Sequence, residues 1–426
     1  MRAKYLWAAS GIWCLTSAVA AAQTPPPLQA TLPEQQSVMT RARPDYSPLG
    51  TPLGAFILYP SFNAIGEYNS NVYATSSNVK GDFLTRLQPG IDLRSNWVRH
   101  ALNFHAAGDF ERYAKQTSEN ENNFTTDVDG RLDIRTDTYM TGSLGYQLAH
   151  EPRTSPNTQT NQKNPTQYQL ATGKIGFVRQ RGIIGLDVNG QINYYTYDNA
   201  VTGTGTPINE SDRNRVEYSL TPRVTYQIVP GYRAFLQASG NERTYQSRTD
   251  QLGYQHDSHG YEVDAGTAIA LTNLINGEIY AGYLEQFYKD SRLPTASGPG
   301  FGGNLLWNIT PLTSIRAKLT RTVEEWDFEV AGSPPVSSYL ATNAHLGIEH
   351  QLHDNLLATA GVDYENDAFQ GITRNDNVYG ASAGLHYLMN RYINVGLDLS
   401  YQRRNSNVAN ISYSQEIIGA SIRLQY

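Results

Sequence analysis

The stretch RVEYSLTPRVTYQI, residues 215–228, decides the fold. Val216, Tyr218, Leu220, Val224, Tyr226 and Ile228 share one parity. Arg215, Glu217, Ser219, Arg223, Thr225 and Gln227 take the other. A strand sends successive side chains to opposite faces, so this segment has one apolar and one polar face. The period is two, not the 3.6 of a helix. The same alternation recurs along the chain. In residues 83–97, Phe83, Leu87, Ile91, Leu93 and Trp97 oppose Arg86, Gln88, Asp92, Arg94 and Asn96. In residues 124–135, Phe124, Val128, Leu132 and Ile134 oppose Asp127, Asp129, Arg131, Asp133 and Arg135. In residues 393–402, Ile393, Val395, Leu397, Leu399 and Tyr401 oppose Asn394, Asp398, Ser400 and Gln402.

Alternation alone also fits a soluble sandwich with one wet face. Connection lengths separate the two. Short turns fall at Ser95–Arg99, Arg135–Thr138, Val229–Tyr232, Ile309–Thr313, Leu352–Asn355 and Met389–Tyr392. Long polar loops fall between the pairs: 69–81, 115–122, 151–165, 198–212, 245–257, 289–298, 327–336, 367–376 and 403–413. Short turns at one end and long loops at the other mark an outer-membrane barrel. The expectation is an all-β, antiparallel up-and-down transmembrane barrel of about 18 strands. Its short turns are periplasmic, its long loops extracellular, and both barrel ends lie on the short-turn side. The Gly-rich run 298–303 leaves the count open by two.

Composition agrees. The 426 residues are 39% hydrophobic and 17% charged, with 29 Tyr against 12 Phe. A phenol suits a half-wet position, and Tyr139, Tyr283, Trp307, Tyr379 and Tyr387 near segment ends fit the aromatic girdles of a bilayer. The net charge of −6 and the lack of a basic tract give no sign of nucleic acid.

Residues 1–22 read as a secretory signal peptide: Arg2 and Lys4, an apolar run from Tyr5 to Val19, then Ala20-Ala21-Ala22. The single cysteine, Cys14, lies inside it, which excludes disulfides and cysteine chemistry from the exported chain. Residues 23–54 carry Pro25, Pro26, Pro27, Pro33, Pro44, Pro48 and Pro52 and form a periplasmic segment, or a plug reaching into the lumen. Residues 55–426 form the barrel.

Two resemblances sharpen this. Ile418, Ala420, Ile422, Leu424 and the final Tyr426 share one parity, and this resembles the C-terminal signal read by the outer-membrane barrel assembly machinery. The stretch Arg43 to Gly50, then Leu53-Gly54-Ala55-Phe56, Tyr59-Pro60-Ser61, Tyr68 to Ala74, Asp82-Phe83, Pro89, Ser95-Asn96-Trp97 and His100 resembles an outer-membrane β-barrel porin family associated with exopolysaccharide and capsule synthesis loci. Tyr401 to Ser406 continues the likeness. The resemblance implies a Gram-negative outer-membrane protein taking part in exopolysaccharide export, in contact with lipopolysaccharide and envelope export proteins. No residue roles follow from it.

The inward polar stripe supplies candidate binding residues: Arg86, Arg94, Arg131, Arg135, Arg215, Arg223, Arg316, Lys318 and Arg423, interleaved with Asp92, Asp127, Asp129, Asp133 and Glu217. A ring of one sign would select ions of the other, whereas mixed signs suit polar solutes such as sugars. His345 shares a face with Glu349, but a triad needs an oriented Ser that spacing does not show. His256 and His259, and His350 and His353, sit at loop or turn positions, and no metal or cofactor is expected. Asp363, Glu365 and Asp367 alternate toward a solvated rim. The leading expectation is a passive exopolysaccharide conduit and no enzyme. The alternatives are a general diffusion porin, a barrel enzyme acting on lipid or glycan, and a closed anchor.

Overall fold

In a computed structural model, residues 36–158, 161–271, 274–326 and 334–426 are described; the expected signal peptide at 1–22 lies outside them. The alternating segments form 18 long strands, each 13 to 16 residues. They are β1 (Phe56–Asn69), β2 (Asp82–Ser95), β3 (Ala101–Tyr113), β4 (Glu121–Arg135), β5 (Thr138–His150), β6 (Gln167–Arg181), β7 (Ile184–Tyr197), β8 (Arg215–Val229) and β9 (Tyr232–Tyr245). The second half comprises β10 (Ser258–Leu271), β11 (Ile275–Tyr288), β12 (Ala296–Thr310), β13 (Thr313–Glu325), β14 (Ser338–His353), β15 (Leu356–Phe369), β16 (Asn375–Leu388), β17 (Ile393–Ser406) and β18 (Tyr413–Gln425). Each pairs antiparallel with its neighbours in sequence, and β1 pairs with β18 from Ser61↔Gln425 to Asn69↔Ile417. The ring is therefore closed, which lets strands lie in hydrocarbon with their ladder groups bonded to neighbours; the β12–β13 register is the short one, ending at Gly303↔Leu319. A tilted strand needs about 9–11 residues to span the bilayer core, so these strands project beyond it.

The parity reading holds on the wall. Phe83, Leu144 and Leu236 are 65%, 71% and 65% exposed, and such side chains would aggregate in water rather than form a stable surface. They form the apolar band that faces lipid. The inner face buries polar groups instead, among them Asp187, Arg215, Arg223, Arg243 and Glu278. Among the described residues two apolar clusters pack toward the long-loop end: Trp326, Val336, Tyr339, Ala341 and Phe369, and Ala149, Tyr168, Tyr195 and Tyr197.

Three details depart from the sequence reading. Short turns also occur after β6, where Gly182 has φ +62°, and after β10. The Gly-rich run 298–303 lies within β12. Tyr139 does not join a girdle: it pairs with Asp133 and Val178 on the inner face, with the Arg131 guanidinium 3.8 Å from its ring centre.

The glycines of β10–β12 permit a close backbone approach. A Cβ on Gly282 would stand 1.9 Å from the Val263 carbonyl oxygen, and one on Gly277 2.1 Å from that of Asn304. Glycine inside a strand marks such sites. Gly282→Val should therefore lower the yield of heat-modifiable folded barrel sharply. Gly240→Ala, where a Cβ meets nothing within 4 Å, should leave it unchanged.

Candidate functional site

The inward stripes converge on the lumen, and two chain segments narrow it. At the short-turn end, residues 36–50 lie against the inner wall. The Val38 N–H donates to Ser314 Oγ at 2.9 Å and the Met39 N–H to Glu349 Oε2 at 2.8 Å. Arg316 donates to Ser37 Oγ at 2.8 Å and to Glu349 at 2.7 Å. Further along, Arg391 donates to the Pro44 carbonyl at 3.1 Å, and Gln425 to that of Tyr46 at 3.4 Å. The segment thus runs as a chord from β13–β14 to β17–β18. It carries two turns, closed by the Arg41 N–H on the Ser37 carbonyl and the Ser47 N–H on that of Arg43, and Ser37 and Val38 are fully buried.

At the other end, the loop between β5 and β6 folds inward. Glu151, Thr154, Ser155 and Asn157 are buried. Its base is clamped by Arg213, which bonds Glu151 at 2.5 and 2.9 Å and Glu210 at 2.7 Å, with Tyr197 under the guanidinium at 4.1 Å. Arg153 forms a two-point pair with Glu119, both bonds 2.8 Å. Its tip reaches distant walls: Asn157 donates to the Glu325 carbonyl on β13 at 3.3 Å, and Arg404 on β17 donates to that of Thr154 at 2.5 Å. Beside the first contact, Glu325 takes Arg243, and both Tyr245 and Tyr288 donate their hydroxyls to it at 3.2 Å.

The candidate arginines divide by depth. Arg215 and Arg223 are buried in ion pairs, with Glu217 at 2.8 Å and Glu278 at 2.9 Å. Arg223 also bonds Gln237 and lies over Phe235 at 4.1 Å. Arg86 holds Asp109, Glu111 at 3.2 Å and Glu67 at 3.6 Å. Such side chains stiffen the wall, and removing one partner would strand the other charge. In the short-turn half of the wall the groups stay wet. Arg94 is 29% exposed beside Asp92, and Arg131 is 48% exposed beside Asp133. Lys318 is exposed in the row that holds His345, and Arg423 is half-buried in the row of Asn63 and Asn394. Arg316 ties down the N-terminal segment. Arg135 is not with them. A bulge between Asp133 and Arg135 breaks the alternation, and Arg135 lines a groove with Ile134, Phe177, Arg179 and Arg181 on the outer wall.

The histidines do not converge. His345 bonds Asp363 at 2.7 Å, while Glu349 serves Arg316. His105 bonds Asp92 at 2.9 Å. His256 is buried in its loop against Asp250 at 3.0 Å, while His259 stacks on Phe287 at 5.5 Å. His350 bonds Thr313 at 2.9 Å. The inward loop and the buried N-terminal contacts carried no local sequence signal, because both depend on partners far along the chain, 34 to 250 positions away for the loop and 276 to 310 for the Val38 and Met39 N–H groups.

Two outer loops are latched by carboxylates. The Arg292 guanidinium, with the Arg292 and Gln255 N–H groups, holds the Asp290 carboxyl well below the usual range. Burial works against the Asp250 anion, but His256 and the Tyr254 and Leu252 N–H groups outweigh it, so its carboxyl is also lowered. A lowered folded pKa gives stability that is full above the unfolded value of about 4 and is lost as pH falls through the folded value. The amides of Leu252 and Tyr254 should stay protected from hydrogen exchange at pH 5 and lose protection below about pH 4.

No curated protein matches the sequence. Among solved structures, the siderophore receptor PirA from Pseudomonas aeruginosa matches at TM-score 0.45 and 8% identity, covering 91% of this chain and 82% of that one. The FrpB iron transporter from Neisseria meningitidis matches at 0.44 and 7%, covering 86% and 82%. The ferric citrate transporter FecA matches at 0.41 and 10%, covering 91% and 80%. The family model described as Putative beta-barrel porin 2 matches residues 43–426, so this chain, an outer-membrane barrel with a polar lumen, belongs to that family.

Proposed function

We propose that the barrel is a passive conduit for polar solutes across the outer membrane, with exopolysaccharide as its cargo. The observation that carries the conduit is the wet inner face of the short-turn half of the lumen. Arg94, His105 and Arg131 keep 29%, 38% and 48% of their side chains exposed on the inner face. Guanidinium, imidazole and carboxylate groups of both signs offer hydrogen bonds to hydroxyls without trapping one ion. The glycan cargo rests on the resemblance of residues 43–100 and 401–406 alone. The conduit needs no covalent chemistry, no cofactor and no metal. The strand ending at Tyr426 would engage the assembly machinery, and the loop end would face lipopolysaccharide.

A second reading is a general diffusion porin, favoured by the mixed signs of the lining. Planar-bilayer conductance with the host's own exopolysaccharide and with unrelated glycans separates the two. Block by the host glycan alone supports dedicated export. Conductance indifferent to every glycan overturns the cargo and leaves the general porin.

A further inference from the structure

The outer wall at the short-turn end of β4–β6 departs from its surroundings. Arg135, Thr138 and Arg179 form one cross-strand row, since Thr138 is the register partner of both arginines. Arg181 extends the row at the end of β6, and Asp137 stands in the turn between β4 and β5. Together they line a groove of about 250 Å³ with Ile134 and Phe177. Asp137 accepts from the Thr138 hydroxyl at 2.9 Å. Among the described residues no carboxylate forms an ion pair with any of the three guanidiniums.

The next row up the wall is apolar: Leu132, Met140 and Phe177 are register partners. Above it Gly130 pairs with Gly142, and Gly142 with Ile175. The absent side chains leave a dent between Leu102, Leu132, Met140 and Ile175, part of a second groove of about 500 Å³. Trp97 borders this groove at the turn after β2. The two grooves meet at the Leu132–Met140–Phe177 row. A basic rim therefore opens onto an apolar channel running toward the bilayer centre.

We infer that this surface is a binding site for an anionic phospholipid of the periplasmic leaflet. The phosphate sits on Arg135, Arg179 and Arg181, and one acyl chain lies over Gly130 and Gly142. The short-turn end of an outer-membrane barrel faces the periplasm, so the rim lies at the level of phospholipid headgroups. A guanidinium is tolerated at headgroup level and binds a phosphate through two parallel hydrogen bonds. Three arginines against one aspartate leave an excess of positive charge, which favours an anionic over a zwitterionic lipid. The bulge before the turn serves this site, because it turns Arg135 out of the lumen and toward Arg179.

The test is native mass spectrometry of the full exported chain in detergent. Cardiolipin, phosphatidylglycerol and phosphatidylethanolamine are added in turn, with millimolar inorganic phosphate as competitor. The wild type should retain the two anionic lipids over phosphatidylethanolamine, and phosphate should not displace them. Replacing all three arginines by Gln should weaken retention on the order of a hundredfold, taking about a factor of five for each basic group near a charged surface. Arg181→Gln alone covers the case in which the triple variant fails to fold, and should weaken retention by about fivefold. Gly142→Leu fills the dent without strain, since a Cβ there meets only the Lys174 carbonyl oxygen at 3.9 Å. It should cost several-fold with the folded barrel intact by heat modifiability. Equal retention of phosphatidylethanolamine, or undiminished retention in the arginine variants, would overturn the site. Displacement by phosphate with no effect of Gly142→Leu would reduce it to an anion contact and overturn the lipid.

Discussion

Replacing residues 153–158 with a Gly-Ser segment of equal length should raise single-channel conductance several-fold and leave the barrel folded. The loop is held by contacts to its own base and to opposite walls, not by the ladder. Exchanging the tip removes the Asn157 bond to β13 and the Arg153 pair with Glu119, and so loosens the backbone whose Thr154 carbonyl accepts from Arg404 on β17. It leaves every strand pairing intact. The lumen then loses the loop that reaches across it at the long-loop end. Arg404→Ala should move conductance the same way by a smaller amount, because it releases one of the two wall contacts. An unchanged conductance in the loop-exchanged barrel would show that the constriction lies elsewhere, with the N-terminal chord as the next place to look.

The second large effect is on stability. Glu325 is a buried hub, its side chain 2% exposed, facing an Arg243 side chain that is 7% exposed. Two tyrosine hydroxyls complete its shell. Glu325→Ala strands a buried guanidinium, and breaking such a pair costs about 3–5 kcal/mol. The double variant Arg243→Met with Glu325→Leu removes both charges and should recover most of that loss, because paired burial of charge gives little net stability. Urea titration of the barrel in lipid vesicles reads both. A double variant no more stable than Glu325→Ala would show that the tyrosine network, and not the ion pair, holds this wall.

The wall was legible in the sequence because a strand's faces are set by parity alone. Residues 215–228 announce their outward Val, Leu and Tyr and their inward Arg and Glu without reference to anything distant. The same rule failed at Arg135, where one extra residue in a bulge turns the strand's last side chain to the outer face. It also failed to exclude Tyr139 from the girdle, since an aromatic near a strand end reads alike on either face. The turn at Gly182 was hidden by the apolar Ile183 and Ile184 that follow it. The inward loop was beyond local reading for a different reason. Glu151 to Pro165 has the composition of any polar loop, and its direction is set by Arg213, Glu119, Glu325 and Arg404. The lipid groove likewise depends on register, which aligns Arg135 with Arg179 and Gly130 with Gly142 across three strands.

The most direct measurement is the single-channel conductance of the refolded exported chain in planar bilayers. A water-filled lumen lined by both signs should give a small, steady conductance with weak ion selectivity, enlarged when residues 153–158 are exchanged. A barrel shown to be folded and inserted that conducts nothing, before or after that exchange, would contradict the conduit.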